Sequence, residues 1–209
     1  MPWQHVIVNA RCSWLHGDPR GFRDRDHRLH SSGDYKHPPP ADEHAAIFRY
    51  YRRRAGKAIH FSLALRILIL REFVQKLRAL EHPVIAAAIA ARHLHALTDL
   101  PNNYEQMKRE IGKCKQKASH AVRTVLPGTI WAAGAEFMRI NDRPHLHNTY
   151  AYIRKKQEAG AVVWSHKDDE NWIDCPEVGI PIMLRRGAIT RVFGLPQTPA
   201  SEVSRRPGF

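Results

Sequence analysis

Apolar and polar positions change their spacing several times along the chain, and each change marks a candidate element. Trp3–Cys12 alternates around Val6, Ile7 and Val8, the period of a strand. From Ser62 to Leu80 the apolar residues fall at Leu65, Leu68, Ile69, Phe73, Leu77 and Leu80, with Arg71, Lys76 and Arg78 off that stripe. This predicts an amphipathic helix, ended by His82-Pro83. Val84–Thr98 is apolar at first and alternates from Arg92 onward. Two buried strands or a hairpin account for it, and a helix stays open for its alanine-rich first half. Pro101-Asn102-Asn103 starts a helix running to about Val125, with Tyr104, Met107, Ile111, Cys114, Ala118 and Val122 as its apolar stripe. Thr129–Ile140 reads as a strand or bent strand containing Trp131. Asp142 and Pro144 cap a helix through about Ala159, closed by Gly160, and Ala161–Trp164 gives a short strand.

Strand, helix, two strands, helix, strand and a further helix is an α+β order. It predicts a ferredoxin-like antiparallel sheet with helices on one face, plus a C-terminal helix. Two stretches fall outside that pattern. Ser13–Lys57 is dense in turn residues, with Asp18-Pro19, Ser31-Ser32-Gly33 and the triple proline Pro38–Pro40. It reads as a long loop or insertion, centred on residues 31–57, with a helix at Ala41–Arg54. Beyond Ser165 the periodicity fades, so residues 1–166 are expected to form the domain and residues 167–209 an extension with a disordered tail from Pro196.

With 209 residues and 43% hydrophobic side chains, the chain can bury a core. Its longest clean apolar run, Val84–Ala91, is too short to span a membrane, and no signal peptide is visible at the N-terminus. The expected location is therefore cytoplasmic. Cys12, Cys114 and Cys175 are odd in number and scattered, against a disulfide framework or a cysteine zinc site. A net charge of +13 implies a polyanionic partner, most often nucleic acid. The excess concentrates at Arg52-Arg53-Arg54, on the helix after His95 (Lys108, Arg109, Lys113, Lys115, Lys117 and Arg123), and at Arg154-Lys155-Lys156. Each run is either a phosphate contact or a solvated face. Trp14, Trp131 and Tyr150 are either platforms for unpaired bases or core residues.

Histidine is abundant, with 14 residues, and His93-Leu94-His95 is the sharpest local feature. On a strand, side chains two apart leave the same face, so the two imidazoles can clamp one divalent cation, or they are ordinary surface histidines. His145-Leu146-His147 is a control: on a helix, residues two apart point about 200° from one another, and both cannot face one ion. On that same helix His145, Asn148, Tyr152 and Lys156 share a stripe. Tyr152 is either a packed aromatic or a nucleophile toward a metal-polarised phosphoryl group.

These pieces, in their order, resemble the HUH single-tyrosine transposases, above all the REP-associated tyrosine transposases and related insertion-sequence enzymes. His93-Leu94-His95 after the apolar strand is similar to the two histidines flanking a bulky hydrophobic residue that name the family. The likeness continues through the basic helix, Gly128-Thr129-Ile130-Trp131, Tyr152-Ile153-Arg154, Ala159-Gly160 and Trp164-Ser165, over about residues 3–166. Many members carry Pro-Asn before the first histidine, where this chain has Ala91-Arg92. Some carry a metal-ligating Gln four residues after the tyrosine; here that position is Lys156, with Gln157 next.

The resemblance implies a Mg²⁺- or Mn²⁺-dependent enzyme that cuts and rejoins single-stranded DNA near hairpins through a 5′-phosphotyrosine. It implies His93 and His95 as metal ligands, completed by Gln157, Asn148, His145 or water, with Tyr152 as nucleophile. Lys108, Arg109, Lys113, Lys115, Lys117, Arg154, Lys155 and Lys156 would contact DNA, two of the basic runs flanking the site. Insertion-sequence members work as dimers, so a homodimer is the implied assembly, without a membrane. Two rivals remain: a catalytically silent hairpin-binding regulator, and a metal-dependent phosphoesterase that uses water.

Overall fold

The alternation predicted for the strands is realised in one sheet. The computed structural model describes residues 3–22, 30–32, 37, 39–168 and 183–184. Its strands are β1 (Trp3–Asn9), β2 (Val84–Ile89), β3 (His93–Asp99), β4 (Glu136–Arg139), β5 (Val162–Ser165) and β6 (Met183–Leu184). Its helices are α1 (Ala45–Arg54), α2 (Leu63–Ala79), α3 (Tyr104–Val122) and α4 (Arg143–Lys155). The strands are antiparallel in the order β4-β1-β3-β2-β5-β6, with α2 linking β1's loop to β2 and α3 linking β3 to β4. The chain is thus α+β. No helix among the described residues is long and apolar enough to cross a membrane.

The two faces of the sheet bury different layers. Val6, Val8, Ala87, Ile89, Leu94, Ala96, Val162 and Trp164 face α2 and α3 and join Ile69, Phe73, Leu77, Ile111, Cys114 and Ala118 in the larger core. The opposite face presents Ala86, Ala88, Leu97 and Val163, which pack with Ile153, Leu146 and Tyr150 of α4 and with Ile140. Helices therefore lie on both faces, α2 and α3 on one and α4 on the other. The helix starts are set by side-chain caps: Ser62 Oγ accepts from Leu65 N, Asn103 Oδ1 from Gln106 N, and Asp142 Oδ1 from His145 N at 2.7 Å.

Several boundaries differ from the sequence expectation; α1, for one, begins at Ala45 instead of Ala41. Thr129–Ile140 is not strand throughout: Trp131 forms an isolated bridge with Ala10 and is buried against Phe61, and only Glu136–Arg139 pairs with β1. Pro127 and the left-handed Gly128 and Gly134 break the run. Helix α4 stops at Lys155, four residues before Ala159, with Lys156 N still bonded to Tyr152 O. The alanine-rich Val84–Ile89 is strand, and both of its faces are covered. The expected tail at Pro196–Phe209 lies outside the described residues, while Met183–Leu184 pairs with Val162 and Val163 at the sheet edge.

Arg66 ties the larger core together at its open end. Its Nε donates to Phe61 O at 2.9 Å and its Nη1 to Gly160 O at 2.7 Å, joining the start of α2 to the turn before β5. Arg66→Met leaves both carbonyls unpaired and is expected to cost about 1–3 kcal/mol, lowering the thermal midpoint by several degrees. A calorimetric midpoint equal to wild type would show that these bonds carry no stability.

Candidate functional site

The α4 face of the sheet carries the chemistry. In β3, Leu94 and Ala96 enter the larger core, so His93 and His95 point to the opposite face together. Their ring centroids lie 4.9 Å apart at 82°. In β1, Val6 and Val8 take the core side and leave His5 on the histidine face. The antiparallel register sets His5 opposite Leu97 and His95 opposite Ile7, which makes His5 and His95 a diagonal pair. They meet: His5 Nε2 lies 3.0 Å from His95 Nδ1, both side chains being buried. This bond leaves the Nε2 of His95 as its available nitrogen. If that nitrogen is to bind a cation, His95 Nδ1–H must donate to His5 Nε2.

Burial disfavours the imidazolium form of all three rings. It pushes His95 down to about 3, aided by the neighbouring His93 and His5, and His5 down to about 4, aided by His145. His93 is lowered by burial too, with Glu158 opposing and Arg92 reinforcing. Neutral imidazole is the ligating form, so the cluster is held in the protonation state a metal requires.

Helix α4 places Tyr152 over this cluster. Its ring stands edge-on to His95 at 5.6 Å and to His5 at 6.1 Å, and it is half-exposed. Thr149 and Ile153 of α4 are buried beneath, which fixes the side of the helix that Tyr152 occupies. His145, one stripe earlier, is half-buried, acts electrostatically on His5, and takes Asn141 N on its Nδ1 at 3.4 Å. Asn148 and His147 are exposed. Lys156 is the cap residue after α4 and does not continue the stripe, because the helix has ended. Gln157 is buried, with its amide nitrogen donating to Tyr152 O at 3.3 Å. No three His, Cys, Asp or Glu side chains among the described residues converge as a ready cation site. Two imidazoles on one face therefore fit part of a coordination shell. Water, phosphate oxygen or an amide oxygen would have to supply the rest.

The basic residues separate into different places. Helix α3 packs on the face of the sheet away from Tyr152, so its lysines do not flank the histidine cluster as the sequence suggested. Lys115 is half-buried and donates to Ala132 O and Gly134 O, both at 2.7 Å. Lys113 and Arg109 reach Glu110, Lys108 reaches Glu105 and Lys117 reaches Glu72. Arg154, on α4, donates to Tyr150 OH, which in turn lies 2.9 Å from Ser165 Oγ. Lys155 and Lys156 stay exposed at the end of α4. Of the proposed base platforms, Trp131 is core and Tyr150 is half-buried, while Trp14 is 48% exposed. His5 joins the cluster although no local motif announces it. Its signal was its place in the alternation His5-Val6-Ile7-Val8, which becomes informative once β1 is known to pair with β3.

The depressed histidines make a signed prediction for the protein in chelator. Unfolded, His5 and His95 titrate near 6.5, but the folded chain keeps them neutral down to about 4 and about 3. The unfolded state then binds more protons in this window. Their contribution to stability is full above about pH 6.5 and is lost as pH falls through it toward the folded values. Urea midpoints between pH 7.5 and 4.5 should drop, and His5→Asn/His95→Asn should flatten that drop. An unchanged slope in the double variant would refute it.

No protein-family model and no curated protein matches the chain. Among solved structures, the chain is similar to one described as a REP-associated tyrosine transposase bound to a REP hairpin, at 14% identity and a TM-score of 0.39. The overlap covers 73% of this chain, which spans 64% of the length of that one.

Proposed function

We propose that the chain is a metal-dependent single-strand DNA transposase or nickase that works through a tyrosine nucleophile on a ferredoxin-like sheet. The observation that supports it most is the convergence of Tyr152 from α4 with His93 and His95 from β3 on one face. Neutral, same-face imidazoles suit a divalent cation. Nitrogen donors match Mn²⁺ better than Mg²⁺, which prefers an all-oxygen shell. Such an ion would polarise a phosphoryl oxygen and offset its developing charge.

The residues of the chain do the remainder. Tyr152 Oη, losing its proton to solvent, attacks the scissile phosphorus. The P–O3′ bond breaks, the departing oxygen takes a proton to become a 3′-OH, and the 5′ phosphate stays on tyrosine. The reverse attack by a 3′-OH rejoins the strand. His5 holds the ring of His95 so that Nε2 faces outward, and Lys155 and Lys156 offer cations beside the tyrosine. A second reading, a silent hairpin-binding regulator, is favoured by Lys156 at the fourth position after the tyrosine and by the engagement of the Gln157 amide nitrogen with Tyr152 O.

A labelled hairpin with single-stranded flanks, incubated with Mn²⁺, should give an SDS-resistant adduct with wild type and none with Tyr152→Phe. Hairpin binding that persists in EDTA without any adduct would support the regulator. Cleavage retained by Tyr152→Phe but lost in His95→Ala would point to water as nucleophile. His5→Ala, which frees the His95 ring, should weaken Mn²⁺ affinity by about 10–100-fold in a titration followed by electron paramagnetic resonance. Unchanged affinity would remove His5 from the site.

A further inference from the structure

The loop after β1 and helix α1 form a surface that the histidine–tyrosine site does not use. Arg20 organises the loop. Its Nη2 meets Asp18 Oδ2 at 2.6 Å and Ser13 O at 2.7 Å, and its guanidinium lies 4.2 Å from the centre of the Trp14 ring. Trp14 Nε1 donates to Gly21 O, which fixes the indole's orientation while half of it stays in solvent. Gly17 lets the loop lie directly on α1. Its φ is +77°, and a Cβ there would stand 2.6 Å from Phe48 N. Beside it His16 stacks on Tyr51 at 4.7 Å and 26°, and Tyr50 stands edge-on to Tyr51 with Arg54 over its ring at 4.3 Å.

Three aromatic rings are therefore exposed on the loop and the helix it packs against, Trp14 at 48%, Tyr50 at 49% and Tyr51 at 39%. Each is braced by a cation, an imidazole or another ring, so little side-chain freedom remains to be lost on binding. The helix that carries two of them buries none of its residues and contains Arg49, Arg52, Arg53 and Arg54 with no acid. Apolar exposure on a helix this basic does not suit an apolar or cationic partner. Rings alternating with guanidinium groups suit a strand that offers unpaired bases and phosphates at once. The loop also leaves β1 at the end where Asn9 pairs with His93, and the Glu158 carboxylate acts on both Arg20 and His93. The surface thus borders the candidate site.

We infer that the Trp14 loop and α1 form an accessory single-strand nucleic-acid binding surface, with Trp14, Tyr50 and Tyr51 stacking on bases and Arg49, Arg52, Arg53 and Arg54 on phosphates. The inference rests on the single-strand reading of the partner and is independent of cleavage. The test uses the full chain in a Tyr152→Phe background with fluorescein-labelled oligothymidylate, which cannot form a hairpin, and with a duplex of equal length. Tyr50→Ala/Tyr51→Ala should weaken oligothymidylate binding about tenfold or more and leave duplex binding within about twofold. Trp14→Ala should act in the same direction, and Tyr50→Phe should restore affinity in Tyr50→Ala because the ring returns. An unchanged thermal midpoint in the tyrosine variants keeps the reading independent of folding. Failure of wild type to bind oligothymidylate overturns both this inference and the single-strand reading. Binding by wild type that is undiminished in the tyrosine variants, or reduced equally for duplex, overturns this inference alone.

Discussion

Strand β3 sits at the centre of the sheet with β1 on one side and β2 on the other, and its alternation cannot slip. A one-residue shift would place His93 and His95 in the larger core and turn Leu94 and Ala96 toward α4. Burial of Leu94 and Ala96 against α2 and α3 therefore fixes the histidines on the other face. The same register fixes His5 relative to His95, because β1 can present His5 only where Val6 and Val8 are buried. The hydrogen bond between the two imidazoles is a product of strand pairing, and the depressed basicity of the cluster follows from its depth in the sheet.

Local signals made most of this architecture readable. Alternation identified β1 and β3, the 3.6-residue stripes identified α2, α3 and α4, and Asn103 and Asp142 marked helix starts that the side-chain caps then account for. The His93/His95 pair was legible because two residues apart on a strand means one face. His5 was not, since its relevance depends on a partner strand about ninety residues away, which no local period encodes. The end of α4 was also illegible. Arg154, Lys155 and Lys156 are good helix formers, yet α4 ends at Lys155, ahead of the left-handed Gly160 whose carbonyl Arg66 holds.

Charge was the least transferable sequence quantity. A run of lysines on α3 and a run of arginines on α1 look alike in the sequence, yet their settings differ. The α3 residues are interleaved with Glu105 and Glu110, reach Glu72 of α2, and commit Lys115 to two backbone carbonyls. The α1 arginines have no acid on their own helix and stand among exposed rings. Net charge gives the sign of the partner; tertiary neighbours decide which cations remain available to it.

The alanines of β2 have a consequence for the site although they belong to no chemistry. Ala86 and Ala88 form the floor on which α4 rests, and each contributes only a methyl group to the space between helix and sheet. That thin floor brings the helix axis down until the ring of Tyr152 touches those of His5 and His95. The clearance between tyrosine and histidine is thus governed by the volume of side chains that meet neither a metal nor a phosphate. Leu97 and Val163 complete that floor on the flanking strands, and larger side chains at Ala86 and Ala88 as well would lift the helix and its tyrosine away from the histidines.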